Sequence, residues 1–86
     1  MFLHIGKDVV LQSKNIIGIF DIESLEKSNI SKTFLEDLKN KNLIYNVSDG
    51  VNKSLVISKD NDKIKGYISN ISSTTLNKRI NMAGIA

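Results

Sequence analysis

His4 is the single imidazole in the chain, and no cysteine accompanies it. A zinc site needs several converging nitrogen or sulfur ligands, and a hydroxyl nucleophile needs a base beside it, so neither has its parts here. Asp21, Glu23 and Glu26 crowd one short stretch, and Glu36 and Asp37 sit together in another. Their neighbours lack the apolar setting that tunes a general acid–base pair, and both groups read as solvated surface. The ten serines include no Gly-x-Ser-x-Gly elbow and no Ser-x-x-Lys in a convincing context. The five glycines never fall into a phosphate loop. These residues predict no enzyme, no cofactor, no metal site and no small-molecule substrate.

Positive charge is the remaining chemistry. The formal net charge is +3. Residues 1–43 balance six Lys against six acids, whereas residues 44–86 carry five Lys and Arg79 against three acids. A surplus of this size permits contact with nucleic acid without requiring it. The candidates for phosphate contact are Lys14, Lys32 and Lys53, a stripe of Lys63, Lys65 and Tyr67, and Arg79 with its neighbour Lys78. Each is a weak point charge alone. Repeated at regular spacing on an oligomer, they can track a phosphate backbone that one copy would scarcely hold.

The elements that must position these residues follow from the apolar pattern. Phe2–Ile5 and Val9–Leu11, joined by Gly6-Lys7-Asp8, predict a hairpin. Ile16–Ile22 is apolar on both faces and reads as a strand buried on two sides, hence central in its sheet. Residues 21–28 read as a polar, acidic connection. Ser31 is expected to cap a helix ending near Asn40, with Ile30, Phe34, Leu35 and Leu38 as its apolar side. Leu43–Val47, a turn at Ser48-Asp49-Gly50, Ser54–Ser58, a turn at residues 59–62 and Lys63–Ser69 read as successive hairpins. Ile64 and Ile68 share one face of the last strand, opposite Lys63, Lys65 and Tyr67. Ser72 and Ser73 then open a helix of roughly ten residues carrying Leu76 and Ile80 one turn apart.

The expected architecture is α+β, a small and mostly antiparallel sheet of about five or six strands with two short helices. With no proline and no linker, residues 1–86 form one domain, in which the uncharged tail 82–86 docks or frays. Two short helices cover about one face of such a sheet, so a second copy is expected over the other, giving a dimer-based homo-oligomer. The absence of cysteine suits a reducing cytoplasm, and no stretch approaches the ~20 apolar residues of a membrane span.

Several stretches together resemble a known family. Met-Phe-Leu-His-Ile-Gly-Lys-Asp-Val-Val at residues 1–10, Lys14 through Asp21, Asn52 through Ser58, and Ile71 through Arg79 are similar in order and spacing to the extracellular matrix regulatory proteins of Firmicutes, RemA and RemB. The likeness is nearest the RemB branch and spans nearly the whole chain. It implies a bacterial cytoplasmic regulator of biofilm-matrix genes, associated in the RemA branch with ring-like oligomers that bind double-stranded DNA. A basic residue just before the central strand serves DNA binding in that branch, and Lys14 holds the matching position. The branch also carries an adjacent arginine pair before the later strand, where Gly50 and Val51 stand in this chain and Lys53 is the nearest positive charge. Lysine offers a point charge in place of arginine's bidentate fork. The leading expectation is a non-enzymatic, oligomeric DNA-binding transcriptional regulator. The alternative is a homo-oligomeric protein-interaction module without DNA affinity.

Overall fold

Six strands and three α-helices alternate along the chain in a computed structural model that describes residues 1–84, with side chains placed through Asn81. β1 (Phe2–Gly6) and β2 (Val9–Gln12) pair antiparallel as the expected hairpin. A single 3-10 turn, Ser13–Asn15, leads into β3 (Ile16–Asp21). α1 (Ile22–Glu26) and α2 (Asn29–Asn40) follow, then β4 (Ile44–Asn46), β5 (Ser54–Asp60), β6 (Lys63–Ser69) and α3 (Ser73–Gly84). The fold is mixed α+β, its six strands divided between the β1–β2 ribbon and a four-stranded sheet of order β3-β5-β6-β4.

β5 and β6 hold the centre of that sheet. Ser54 through Ser58 are buried without a break, and the β5–β6 pair is closed by Asn61 and Asp62, both at positive φ (50° and 68°). Two such residues are what a two-residue hairpin turn matched to strand twist demands. The expectation of a central Ile16–Ile22 strand is therefore corrected: β3 lies at an edge, pairs only with β5 and ends at Asp21. Its apolar character on both faces comes partly from irregularity. The register shifts between Ile16 and Gly18, which leaves Ile17 as an extra residue, 58% exposed.

The second correction concerns the segment from Asp21 to Asn42. The polar connection contains α1, whose N-terminus is capped by the Asp21 carboxylate accepting from Ser24 N at 3.1 Å. Ser28 caps α2, accepting from Ser31 N at 3.3 Å, so the helix starts one turn earlier than a Ser31 cap would allow. On this helix Ile30 is 85% exposed, while Leu38 is buried and Leu35 half-buried. Asn42 at φ 59° then ends the helix, with Leu43 N donating to Leu38 O at 2.9 Å in a Schellman-type stop. The two helices carry the chain from the β3 edge to the opposite edge, where β4 pairs parallel to β6. β4 and β5 are thus no hairpin, because both flanks of β5 are taken by β3 and β6.

Both faces of the sheet are covered by the chain itself. Leu55 and Ile57 pack with Leu38, Leu25, Leu35 and Ile68 under α1 and α2. Val56 packs on the other face with Leu3 and Ile5 of the β1–β2 ribbon and Leu76 of α3. Counting two helices as the only cover omits this ribbon, which acts as the second lid. α3 starts as expected behind Ser72, whose Oγ accepts from Thr75 N at 3.2 Å. It extends through Gly84, which places residues 82–84 of the expected tail in the helix, while 85–86 lie outside the described residues.

The ribbon is fastened at two points. The Ser69 hydroxyl, fully buried, donates to Ile5 O and accepts from Ile71 N at 3.0 Å. Gly6, at φ 150°, lies so close to Val47 that a Cβ would stand 2.3 Å from the Val47 carbonyl oxygen. Gly6→Ala is expected to cost about 2 kcal/mol or more, since strained backbone and a backbone clash act together. Ser69→Ala should cost ~1–3 kcal/mol by leaving the Ile5 carbonyl and the Ile71 N–H unpaired. Urea denaturation checks both, and a midpoint unchanged in either variant contradicts this account of the docking.

Candidate nucleic-acid interface

Three of the candidate cations converge. Lys63 and Lys65 lie two residues apart on one face of β6, and Lys65 stands opposite Ser58, which in turn stands opposite Ile16. Lys14, in the 3-10 turn two residues before Ile16, is thereby brought to the same end of the sheet, with about 10 Å between the Cα atoms of Ile16 and Lys65 across two strand spacings. Lys59, which nothing in the sequence singles out, joins them at the β5–β6 turn. Asp60 and Asp62 share this end, yet among the described residues the only ion pair is Lys41–Asp37 at 3.1 Å. The four lysines there have no carboxylate held against them.

The other candidates sit elsewhere. Lys53 precedes β5 at the far end, about 20 Å away along the strand, where its N–H donates to Ser69 O at 2.8 Å and its carbonyl accepts from Ile22 N. Gly50 and Val51 are exposed in the loop before it. Lys32 projects from the first turns of α2 on the opposite side of the sheet. Arg79, on α3, is turned toward the ribbon and donates from Nη1 to His4 O at 3.2 Å. His4 itself is exposed, its Nε2 2.6 Å from Lys7 O.

Beside the lysine end lies an aromatic pair that the sequence does not reveal. Parallel pairing sets Tyr45 opposite Tyr67, with the rings stacked at 5.5 Å between centroids and 28° between planes. The Lys65 ammonium lies 6.0 Å from the Tyr45 centroid, at the reach of a cation–π contact. Tyr67 alone is legible, as part of the alternating stripe. Its partner is not, because a β4–β5 hairpin would place Tyr45 on a different neighbour.

Two open, mostly apolar cavities flank α2. One, about 240 Å³, lies between α1, α2 and the sheet with Glu26, Lys39 and Asn52 at its rim. The other, about 250 Å³, lies by the β3 edge and is lined by Phe20, Ile30, Phe34, Leu55 and Ile57. Gly18 shapes this second one: its missing Cβ leaves room for the Phe20 ring to fold back along the strand, where a methyl would meet that ring at 2.8 Å. Among the described residues no cluster of three or more His, Cys, Asp or Glu could hold a metal ion, and no helix is long and apolar enough to cross a membrane.

Known proteins extend the likeness seen in the sequence. Residues 2–80 match the family described as RemA-like, extracellular matrix regulatory protein A-like. The chain is 37% identical over 79 residues to extracellular matrix regulatory protein B of Bacillus subtilis (strain 168), an alignment covering 92% of this chain and 89% of that protein. A match that takes in both sheets and most of α3 leaves no element of the core outside it. The chain belongs to the RemA-like family of extracellular matrix regulatory proteins.

Proposed function

We propose that this chain is a non-enzymatic cytoplasmic regulator that binds double-stranded DNA as a homo-oligomer and so controls transcription of extracellular-matrix genes. The observation that carries this reading is the unpaired lysine group at the β5–β6 turn, with Lys14, Lys63 and Lys65 on one end of the sheet. Point charges of this kind bind phosphates without reading bases, which suits contact with a duplex backbone. Family membership supports the regulatory role. Lys53, Lys32 and Arg79 lie away from this group on one chain, and in an oligomer they would serve through neighbouring copies.

Self-association rests on the β3 edge rather than on an uncovered sheet face. β3 has no strand on its outer side, and Ile17, Phe20, Ile30 and Phe34 are all exposed around it. Edge strands with apolar flanks invite pairing unless another chain covers them. The same edge favours a second reading, a protein-interaction module without DNA affinity, since Gly50 and Val51 stand where an arginine pair would grip phosphate.

A titrated duplex should shift in a mobility assay at 50 mM salt, and its affinity should fall by orders of magnitude toward 200 mM as counterions are released. The Lys14→Ala, Lys63→Ala, Lys65→Ala triple variant is expected to bind at least tenfold more weakly, with a salt slope flatter by about one for each phosphate that no longer meets a lysine. No shift at 50 mM salt would leave the interaction-module reading in its place. Light scattering should give a mass that is a multiple of the 9.6 kDa chain, moved toward one copy by Phe34→Lys. A strict monomer at every concentration overturns the oligomer.

A further inference from the structure

We infer that the stacked tyrosines at the β4 edge form a platform for an unpaired nucleobase, so that the protein also binds single-stranded nucleic acid there. Three features meet there. Tyr45 is on a three-residue edge strand with no strand beyond it and is 41% exposed. Its ring stacks on Tyr67, which packs against the core cluster beneath the ribbon and so fixes the pair in place. Lys65 reaches the Tyr45 ring, and Lys63 follows it along the same face of β6.

A rigid aromatic face bordered by cations is the arrangement that holds single strands. The base stacks on the ring, and the phosphates on either side meet the ammonium groups. A duplex cannot use the ring, because its bases are already stacked on one another. Lys63 and Lys65 are separated by about 6.6 Å along β6, two residues of strand rise, so both can meet one phosphate backbone that runs past the ring. The platform shares these two lysines with the duplex contact proposed above but does not rest on that reading, since Tyr45 has no part in it.

Tyr45 and Tyr67 are the only tyrosines and there is no tryptophan, so intrinsic fluorescence reports on this site alone. Titrating the full chain with a 15-nucleotide oligothymidylate, and separately with oligouridylate, at 50 mM salt should quench tyrosine emission as the base stacks. Tyr45→Leu keeps the apolar contact on Tyr67 and should weaken single-strand binding by about 5- to 150-fold, the range spanned by removal of one base stack, while Tyr45→Phe binds as the native chain does. Lys65→Gln should lower the salt slope by about 0.7. Duplex affinity should be unchanged in Tyr45→Leu. Absence of quenching, or equal single-strand affinity for the native chain and Tyr45→Leu, overturns the inference. A duplex loss matching the single-strand loss also overturns it, by assigning the tyrosines to the duplex surface. Single-strand binding that persists where the duplex fails to bind upholds the platform while refuting the duplex reading.

Discussion

The Ser69 hydroxyl lies at full burial between two layers, bonded to the Ile5 carbonyl of the ribbon and to the N–H of Ile71 just beyond its own strand. A hydroxyl placed there without partners would be a net cost, so the site is stable only with β1 seated at one height on the sheet. Gly6 against Val47 sets the second coordinate. With both contacts made, Leu3 and Ile5 drop onto Val56 and Leu76, and the ribbon becomes the lid that a sheet this small could not otherwise supply. The placement of α3 depends on the same seat, because Arg79 and Leu76 meet β1 only in that position.

The other face is organised by the crossover. α1 and α2 join strands at opposite edges of the sheet, so they must span its full width, and they leave shallow cavities flanking α2 in doing so. The crossover also determines which side chains become surface chemistry. It delivers β4 parallel to β6, setting Tyr45 on Tyr67, and it leaves β3 with an unpaired side beside Phe20 and Phe34. The lysine group owes its existence to a different device, the Asn61-Asp62 turn that folds Lys63 and Lys65 back toward the strand following Lys14.

Local signals in the sequence are sufficient where a turn residue decides the geometry. The ribbon around Gly6, the β5–β6 hairpin and the start of α3 at Ser72 all follow from residues whose chemistry acts within four positions. What escapes is pairing over distance. Ile16–Phe20 has the composition of a buried strand, and nothing within it reveals that β5 turns its second flank to β6 and leaves β3 outermost. The cap of α2 is ambiguous by one helical turn because Ser28 and Ser31 are chemically equivalent, and it is decided by the Ser31 N–H donating to the Ser28 hydroxyl. Of the candidate site, the alternation of Lys63, Lys65 and Tyr67 is readable from period two alone, whereas the approach of Lys14 and the Tyr45 stack require the three-dimensional order of strands.

That order also has a kinetic side. A hairpin closed by a two-residue turn forms in about 1–10 μs, so β5 and β6 can find each other early. Their two neighbours come from opposite ends of the crossover, residues 22–43, and each must close a long loop before it meets the hairpin. Until that happens the central hairpin stands with both flanks bare. The slow step of folding is then the arrival of β3 and β4, and the most association-prone species is the chain whose hairpin has formed while its flanks still wait for cover.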